Sequence, residues 1–184
     1  PIETIKEFPV NLQSLALSSD GSIMAVGDVN NIWLWDMKTW KLIDNWESHL
    51  RGVKNLLFLQ DSNILVSSGG DNSVYLWNIE NRDNHLMLQE DHHPWLYGLA
   101  VTSDGSFFVI FDVDGNYFWD DTGNQIGIMM ETPNPSKKLF FSSNDAFLYA
   151  LDMKGNVSIW EFPSGKMVDS FSPPIESWCN DLTL

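Results

Sequence analysis

The sequence predicts an all-β protein made of similar units, each with four short antiparallel strands. Three observations support this class: a repeat of about 42 residues, apolar segments separated by turn residues, and no sustained helical periodicity. The repeat is marked by four tryptophans that each close an apolar segment, and their spacings are 42, 42 and 41 residues. These tryptophans are Trp35, Trp77, Trp119 and Trp160.

Aspartates in short polar turns provide a second marker with the same period. They are Asp20, Asp61, Asp104 and Asp145. Their spacings are 41, 43 and 41 residues. Two independent markers with one period indicate a genuine internal repeat.

Each repeat divides into strand-length segments, as the second repeat shows. Its predicted strands cover residues 53–59, 64–70, 73–79 and 85–89. Gly, Asn and Asp at the joins between them tolerate the positive φ angles that tight hairpins need. Four strands in a repeat of this length are typical of one blade of a β-propeller.

The second repeat also resembles the WD repeat, the tryptophan–aspartate β-propeller family. The resemblance rests on His49, on Asp71 in a tight turn six residues before Trp77, and on Trp77 itself. It implies that these side chains and a strand serine or threonine form a hydrogen-bonded chain inside the blade, which stabilises only when every member is satisfied. The family pattern puts that serine eight residues before the tryptophan, where this chain has Gly69.

The other repeats depart from the family pattern. The turn aspartate is replaced by Val29 in the first repeat, Val113 in the third and Lys154 in the fourth, and of these three only the third keeps a matching histidine, His92. We therefore expect the blades to be held mainly by apolar packing. The residues with implied structural roles are Trp35, His49, Asp71, Trp77, His92, Trp119 and Trp160.

The repeat divides the chain into four blades with one strand at either end. The blades are expected at residues 10–50, 51–93, 94–134 and 135–174. Residues 1–9 are expected to form the outer strand of a preceding or closing blade, and residues 175–184 the first strand of a fifth. Because the end faces of such an array are apolar, we expect a covering partner: the remainder of a larger propeller, another protein, or a second copy that closes the ring. We interpret the chain as a segment of a larger propeller.

The charge of the chain limits its partners. Twenty-five acidic and ten basic side chains give a net charge of −15, which repels nucleic-acid phosphates and anionic lipid. We therefore expect neither nucleic acid nor a membrane as a partner. A protein with a basic surface would be attracted, and the alternative is that the charge simply keeps an apolar-rich chain soluble. Cys179 is the single cysteine, and the sequence has no signal peptide or membrane-length apolar run, so we expect a cytoplasmic, intracellular location.

The resemblance implies a partner-binding face made of the loops that enter the inner strands and the loops between the two middle strands. Rigid aromatic side chains ringed by charge are typical of interaction hot spots. The predicted partner-binding residues are Asp28, Arg51, Trp95, Tyr97, Asp112 and Trp178. A purely structural role for Trp95 and Trp178, capping the packing between blades, stays open as the alternative.

The sequence offers no catalytic motif. It has no nucleophile elbow, no phosphate-binding glycine loop and no cysteine paired with a positioned histidine. The acidic and histidine residues 91–93 do not make a convincing metal site, because His92 has an implied structural role. We therefore predict a non-catalytic interaction scaffold without a metal or cofactor. The alternative is a propeller enzyme or small-ligand binder that uses the carboxylates of Asp28 and Asp112 near the axis.

Overall fold

The computed structural model describes residues 11–60, 62–89, 98–111, 116–120, 124–130 and 136–172. Within these ranges the chain forms sixteen β-strands and no helix, so no described segment is a helix able to cross a membrane. The strands make four antiparallel sheets of four, each ordered as the strands occur in the chain. The predicted all-β class and its four-stranded units are confirmed.

The first of two compact units, residues 1–94, contains two sheets. The strands of sheet 1 are β1 (Ser14–Leu17), β2 (Ile23–Gly27), β3 (Asn31–Asp36) and β4 (Lys41–Glu47). The strands of sheet 2 are β5 (Val53–Phe58), β6 (Ile64–Gly69), β7 (Ser73–Asn78) and β8 (Asn84–Gln89). The inner strands β1 and β5 lie beside each other, as in neighbouring propeller blades.

The second unit, residues 95–184, repeats this plan. The strands of sheet 3 are β9 (Gly98–Val101), β10 (Phe107–Phe111), β11 (Asn116–Asp120) and β12 (Gln125–Met130). The strands of sheet 4 are β13 (Ser136–Phe141), β14 (Phe147–Asp152), β15 (Val157–Glu161) and β16 (Lys166–Phe171). The inner strands β9 and β13 are again neighbours.

Apolar side chains fill the space between sheets 1 and 2. The cluster consists of Ala25, Ile32, Leu34, Val53, Leu56, Leu65 and Trp77, with Trp46 packed against it. Trp46 of sheet 1 stacks on Trp77 of sheet 2, with ring centroids 5.2 Å apart and ring planes 10° from parallel. The Trp77 indole is only 3% exposed, so it fills the gap between two sheets.

Sheets 3 and 4 share a more aromatic core. Its buried members are Ala100, Val109, Phe111, Phe118, Leu139, Leu148, Ala150 and Trp160, with Phe141 and Phe162 against them. Phe162 follows β15 and stacks on Phe118 of sheet 3, with ring centroids 5.8 Å apart. Burying a phenylalanine fully stabilises the fold by roughly 1.5–3 kcal/mol, so this cluster is a major part of the second unit's stability.

The β1–β2, β9–β10 and β13–β14 turns share one hydrogen-bond pattern, which corrects the turn marker in the fourth repeat. Thr102 Oγ1 donates to Asp104 at 2.8 Å, and Ser142 Oγ donates to Asn144, not Asp145, at 2.8 Å. Asn144 is therefore the counterpart of Asp104. The one-residue error arose because "ND" in this repeat replaces the "DG" of the first and third repeats.

Asp145 instead occupies the left-handed turn position that Gly105 holds in sheet 3, with φ of 55° against 75° for the glycine. Aspartate tolerates this conformation better than most residues with a side chain. Its carboxylate accepts hydrogen bonds from the Ser103 backbone NH at 3.0 Å and from Ser103 Oγ at 2.6 Å. Asp145 therefore ties the turn of sheet 4 to the turn of sheet 3.

Candidate functional site

Sheet 2 contains a buried chain of hydrogen bonds that ends at a surface loop. Trp77 Nε1 donates to Ser67 Oγ at 2.8 Å, and Ser67 Oγ lies 2.8 Å from His49 Nε2. His49 Nδ1 lies 2.8 Å from Asp71 Oδ1. The other carboxylate oxygen of Asp71 accepts the backbone NH of Leu50 at 2.9 Å. The network thus connects the core between the sheets to the loop that precedes β5.

The donors and acceptors in this network fix its direction. An indole NH can only donate and an ionised carboxylate can only accept, so Trp77 is the donor at one end of the network and Asp71 the acceptor at the other. A His49 ring with its hydrogen on Nδ1 satisfies every member of the network. Burial opposes ionisation of Asp71, but hydrogen bonds from His49, Ser73 and the Leu50 NH outweigh it and lower the pKa of the carboxyl below its usual value.

The serine of this network is Ser67, so the expectation that Gly69 holds its position is wrong. Ser67 lies on β6 ten residues before Trp77, on the same face as Leu65, the register partner of Trp77. Gly69 has a different role, because a Cβ at this position would overlap the His49 ring. The missing side chain provides the space that the histidine occupies.

Among the described strands, the position of Ser67 is apolar in the other three sheets, so none of them has a serine to complete the network. The strand registers put Val26, Ile110 and Ala150 at the place of Ser67. At the place of Gly69, sheet 1 has Asp28 and sheet 4 has Asp152. Sheets 1 and 4 therefore close the loop between their middle strands with an aspartate at this position.

Asp28 closes its loop with its own carboxylate. One oxygen accepts the backbone NH groups of Asn30 and Asn31 at 2.8 and 2.7 Å, and the other accepts the Trp33 indole NH at 2.7 Å. Asp152 makes the equivalent bonds to Lys154 and Asn156. The loop between the two middle strands is therefore closed in two ways. Sheets 1 and 4 use a buried aspartate, and sheet 2 uses His49 packed beside Gly69.

The loop at residues 48–52 is held from several sides. The Ser48 NH donates to the Asn30 carbonyl at 2.9 Å, and the Val53 NH donates to the Asp28 carbonyl at 3.0 Å. Together with the bond from Leu50 to Asp71, these contacts fix the loop backbone against both sheets of the first unit. These hydrogen bonds hold the loop backbone rigid.

This rigid loop presents apolar side chains to solvent. Leu50 is 85% exposed, more than any other large apolar side chain among the described residues, while Val29 and Leu12 at the same end of the unit are 40% and 46% exposed. Arg51 is exposed beside Leu50. We call Leu12, Val29, Leu50 and Arg51 the loop surface.

Comparison with known proteins agrees with the repeat architecture. The family model of the WD domain, G-beta repeat, matches residues 40–78, which include the whole of the His49 network. Residues 40–78 are therefore a WD repeat, and the similarity to proteins with WD-repeat names supports the same repeat family for the chain. Proteins of this family are in general non-catalytic scaffolds that bind other proteins.

Three relatives illustrate the match of this WD-repeat chain. It is 33% identical over 81 residues to Protein ROOT INITIATION DEFECTIVE 3 of Arabidopsis thaliana, covering 43% of the chain and 18% of that protein. It is 33% identical over 90 residues to the human WD repeat and SOCS box-containing protein 1, covering 47% and 21%. It is 30% identical over 120 residues to the Periodic tryptophan protein 2 homolog of Dictyostelium discoideum, covering 62% and 13%. The matched part of the chain thus spans between 13% and 21% of the length of these relatives.

The structure describes two of the predicted partner-binding residues and places them in different environments. Arg51 is exposed on the rigid loop, whereas Asp28 is only 8% exposed and directs both carboxylate oxygens at its own loop. Four other residues of the predicted set and one histidine with an implied structural role lie outside the described residues: Trp95, Tyr97, Asp112, Trp178 and His92.

Trp35 and Trp160 are 3% and 2% exposed, and Trp119 is half-buried. The sequence interpretation missed Leu50. The sequence contained a signal for it. Leu50 is a large apolar residue directly after His49, in the turn between β4 and β5, where neither strand's alternating pattern accounts for it.

Proposed function

We propose that this WD-repeat chain is a protein–protein interaction scaffold that holds its partner at the loop surface. The observation that carries the proposal is Leu50, a large apolar side chain that is 85% exposed and whose backbone NH is fixed by the partly buried Asp71. An exposed anchor on a rigid backbone loses little conformational entropy when a partner covers it. The loop surface therefore has the physical properties of a binding hot spot.

Charge at the loop surface differs from the charge of the whole molecule. Arg51 of the loop surface is exposed, and so is Lys54 at the start of β5. Lys54 Nζ donates to Gln13 Oε1 at 2.9 Å. The carboxylates of Asp28 and Asp71 are meanwhile satisfied inside the fold. At long range the net charge of −15 attracts a basic partner, but at contact the loop surface favours an apolar side chain next to an acceptor or carboxylate.

Asp28 weakens the alternative of an enzyme or small-ligand site. That alternative needs two carboxylates free to act near the axis, and Asp28 already accepts three hydrogen bonds from its own loop and from Trp33. Its second proposed member, Asp112, lies outside the described residues.

The scaffold also has an apolar sheet face that needs cover. Ala16 packs between sheets 1 and 2, so its neighbours Leu15 and Leu17, which are 57% and 51% exposed, point away from sheet 2. We infer that further propeller blades cover this face. Sedimentation of the 184-residue chain tests this: a monomer that binds a hydrophobic dye supports the inference, whereas a monodisperse dimer indicates closure by a second copy.

Quantitative affinity capture tests the loop surface. Wild-type chain, Leu50→Asp and Val168→Asp are immobilised, and the proteins that each retains from a cell extract are measured. Val168 is a matched control, because it is 55% exposed on the outer strand of the second unit. We expect at least one protein to fall by about tenfold or more with Leu50→Asp alone, as loss of a hot spot predicts. Equal retention by the two folded variants would refute this binding site.

A further inference from the structure

The hairpin between β3 and β4 has an unusual residue at its tip. Trp40 adopts a left-handed conformation with φ of 56°. The same turn position is held by Arg82 in sheet 2, with φ of 61°, and by Gly165 in sheet 4, with φ of 68°. Each of the three donates its backbone NH to the carbonyl four residues earlier, at 2.8, 3.0 and 2.9 Å respectively. The three hairpins therefore share one turn with three different side chains.

A tryptophan is a poor choice for this turn on structural grounds. Glycine adopts positive φ without steric cost, whereas a large side chain is strained there. At the equivalent position in sheet 2, the Arg82 side chain forms an internal ion pair, because its Nε lies 3.2 Å from Asp44 Oδ2. Trp40 is 43% exposed, and its indole NH donates to no described residue. Strain at an exposed residue without a structural use points to an external contact.

Trp40 lies within a run of six exposed residues, 38–43. Leu42 and Ile43 follow it and are each 41% exposed, while Lys38 and Lys41 flank it. We call Lys38, Trp40, Lys41, Leu42 and Ile43 the hairpin patch. It lies at the far end of β4 from the loop surface, about 20 Å away for a strand of this length. The two surfaces are therefore separate.

The charge of the hairpin patch is positive although the chain is strongly acidic. Lys38 and Lys41 are two of only ten basic residues, and neither forms an ion pair within the described part of the chain. The nearby Asp36 carboxylate is directed at its own turn, where it accepts the backbone NH groups of Lys38 and Thr39 at 2.9 and 2.7 Å. A partner group that approaches Trp40 therefore meets two lysines, which favours carboxylates.

The outer edge of β4 does not suit the addition of a partner strand. Trp35 pairs with Leu42 and Leu34 with Asp44, so Ile43 is an extra, bulged residue. A bulge interrupts the regular row of edge hydrogen bonds and protects the edge from pairing. Recognition at this hairpin must therefore come from side chains.

We propose that the hairpin patch is a second binding site, which takes an acidic segment with apolar side chains from a partner protein. Trp40, Leu42 and Ile43 contact the apolar side chains of the segment, and Lys38 and Lys41 pair with its carboxylates. The left-handed turn at Trp40 holds the indole outward at the hairpin tip. This site goes beyond the proposed role of the loop surface and does not depend on it.

Fluorescence anisotropy tests the hairpin patch with a defined probe. A fluorescein-labelled nonapeptide of alternating glutamates and leucines is titrated with the 184-residue chain up to about 1 mM, where weak sites are detectable. A twin peptide with glutamines in place of the glutamates isolates the charge. We expect saturable binding of the glutamate peptide and binding weaker by about tenfold for the glutamine twin.

Two variants of the patch and one matched control complete the test. Trp40→Gly and the double variant Lys38→Glu/Lys41→Glu are expected to weaken binding by about tenfold or more. Val168→Asp, an exposed apolar position on the outer strand of sheet 4, is the control and is expected to bind as the wild type does. Because Trp40→Gly relieves a positive φ, its melting temperature is expected to equal or exceed that of the wild type. No saturable binding, or equal binding by all folded variants, would overturn the proposal.

Discussion

Replacing Ser67 with alanine is expected to break the buried network of sheet 2 at its centre. Ser67 is fully buried, accepts the Trp77 indole NH at 2.8 Å and lies 2.8 Å from His49 Nε2. Alanine leaves both of these groups without a hydrogen-bond partner in the core. Each unsatisfied buried polar group costs about 1–3 kcal/mol, so the loss of two partners by Ser67→Ala is expected to lower the free energy of unfolding by about 2–6 kcal/mol.

Ser68 provides a control within the same strand. It is also fully buried, but its hydroxyl accepts a single hydrogen bond, from Asn55 Nδ2 at 2.9 Å. Asn55 is only partly buried and can turn to water, so Ser68→Ala is expected to cost about 1 kcal/mol. Urea unfolding followed by circular dichroism gives both free energies.

A double-mutant cycle shows whether the loss arises in the network itself. Trp77→Phe removes the indole NH and keeps an aromatic ring, so Ser67→Ala in that background leaves one unsatisfied group instead of two. We expect a coupling energy of about 1 kcal/mol or more between the two positions. If Ser67→Ala costs no more than Ser68→Ala, or if the cycle shows no coupling, the described hydrogen-bond network is not a stabilising unit.

Three further predictions follow from the structure. Gly69→Ala is expected to destabilise the first unit by about 2 kcal/mol or more in urea unfolding, since its methyl group overlaps the His49 ring, and an unchanged midpoint would contradict that contact. The lowered pKa of Asp71 stabilises the fold above its ordinary pKa of 3.8, and this contribution is lost as the pH falls below it. Between about pH 5 and pH 3 the wild type is therefore expected to lose more stability than Asp71→Asn, whereas parallel curves would show that Asp71 is not stabilised by its partners. Asp145→Gly is expected to destabilise the second unit by about 1 kcal/mol through loss of the Ser103 contacts, with no loss if relief of the positive φ outweighs them.

The sequence predicted two of the described residues as partner-binding, and the structure places them differently. Arg51 was predicted because the repeat alignment places it next to the inner strand, and its side chain is exposed. Asp28 was predicted because it lies in a loop between middle strands, which the resemblance puts on the binding face, but its bonds to Asn30, Asn31 and Trp33 turn it inward. Whether a loop carboxylate faces a partner or its own backbone depends on the loop conformation, which the residue type does not determine.

By itself the sequence determined the period, the β class and the strands of the second repeat, which the structure places at Val53–Phe58, Ile64–Gly69, Ser73–Asn78 and Asn84–Gln89. These features are local, because apolar runs and turn residues act over a few neighbouring positions. Only the tertiary structure decided that Ser67 and not Gly69 belongs to the network, and that Asp145 reaches Ser103. Such pairings depend on strand register and on the packing of one sheet against the next, which bring together residues 18 to 42 positions apart in the chain.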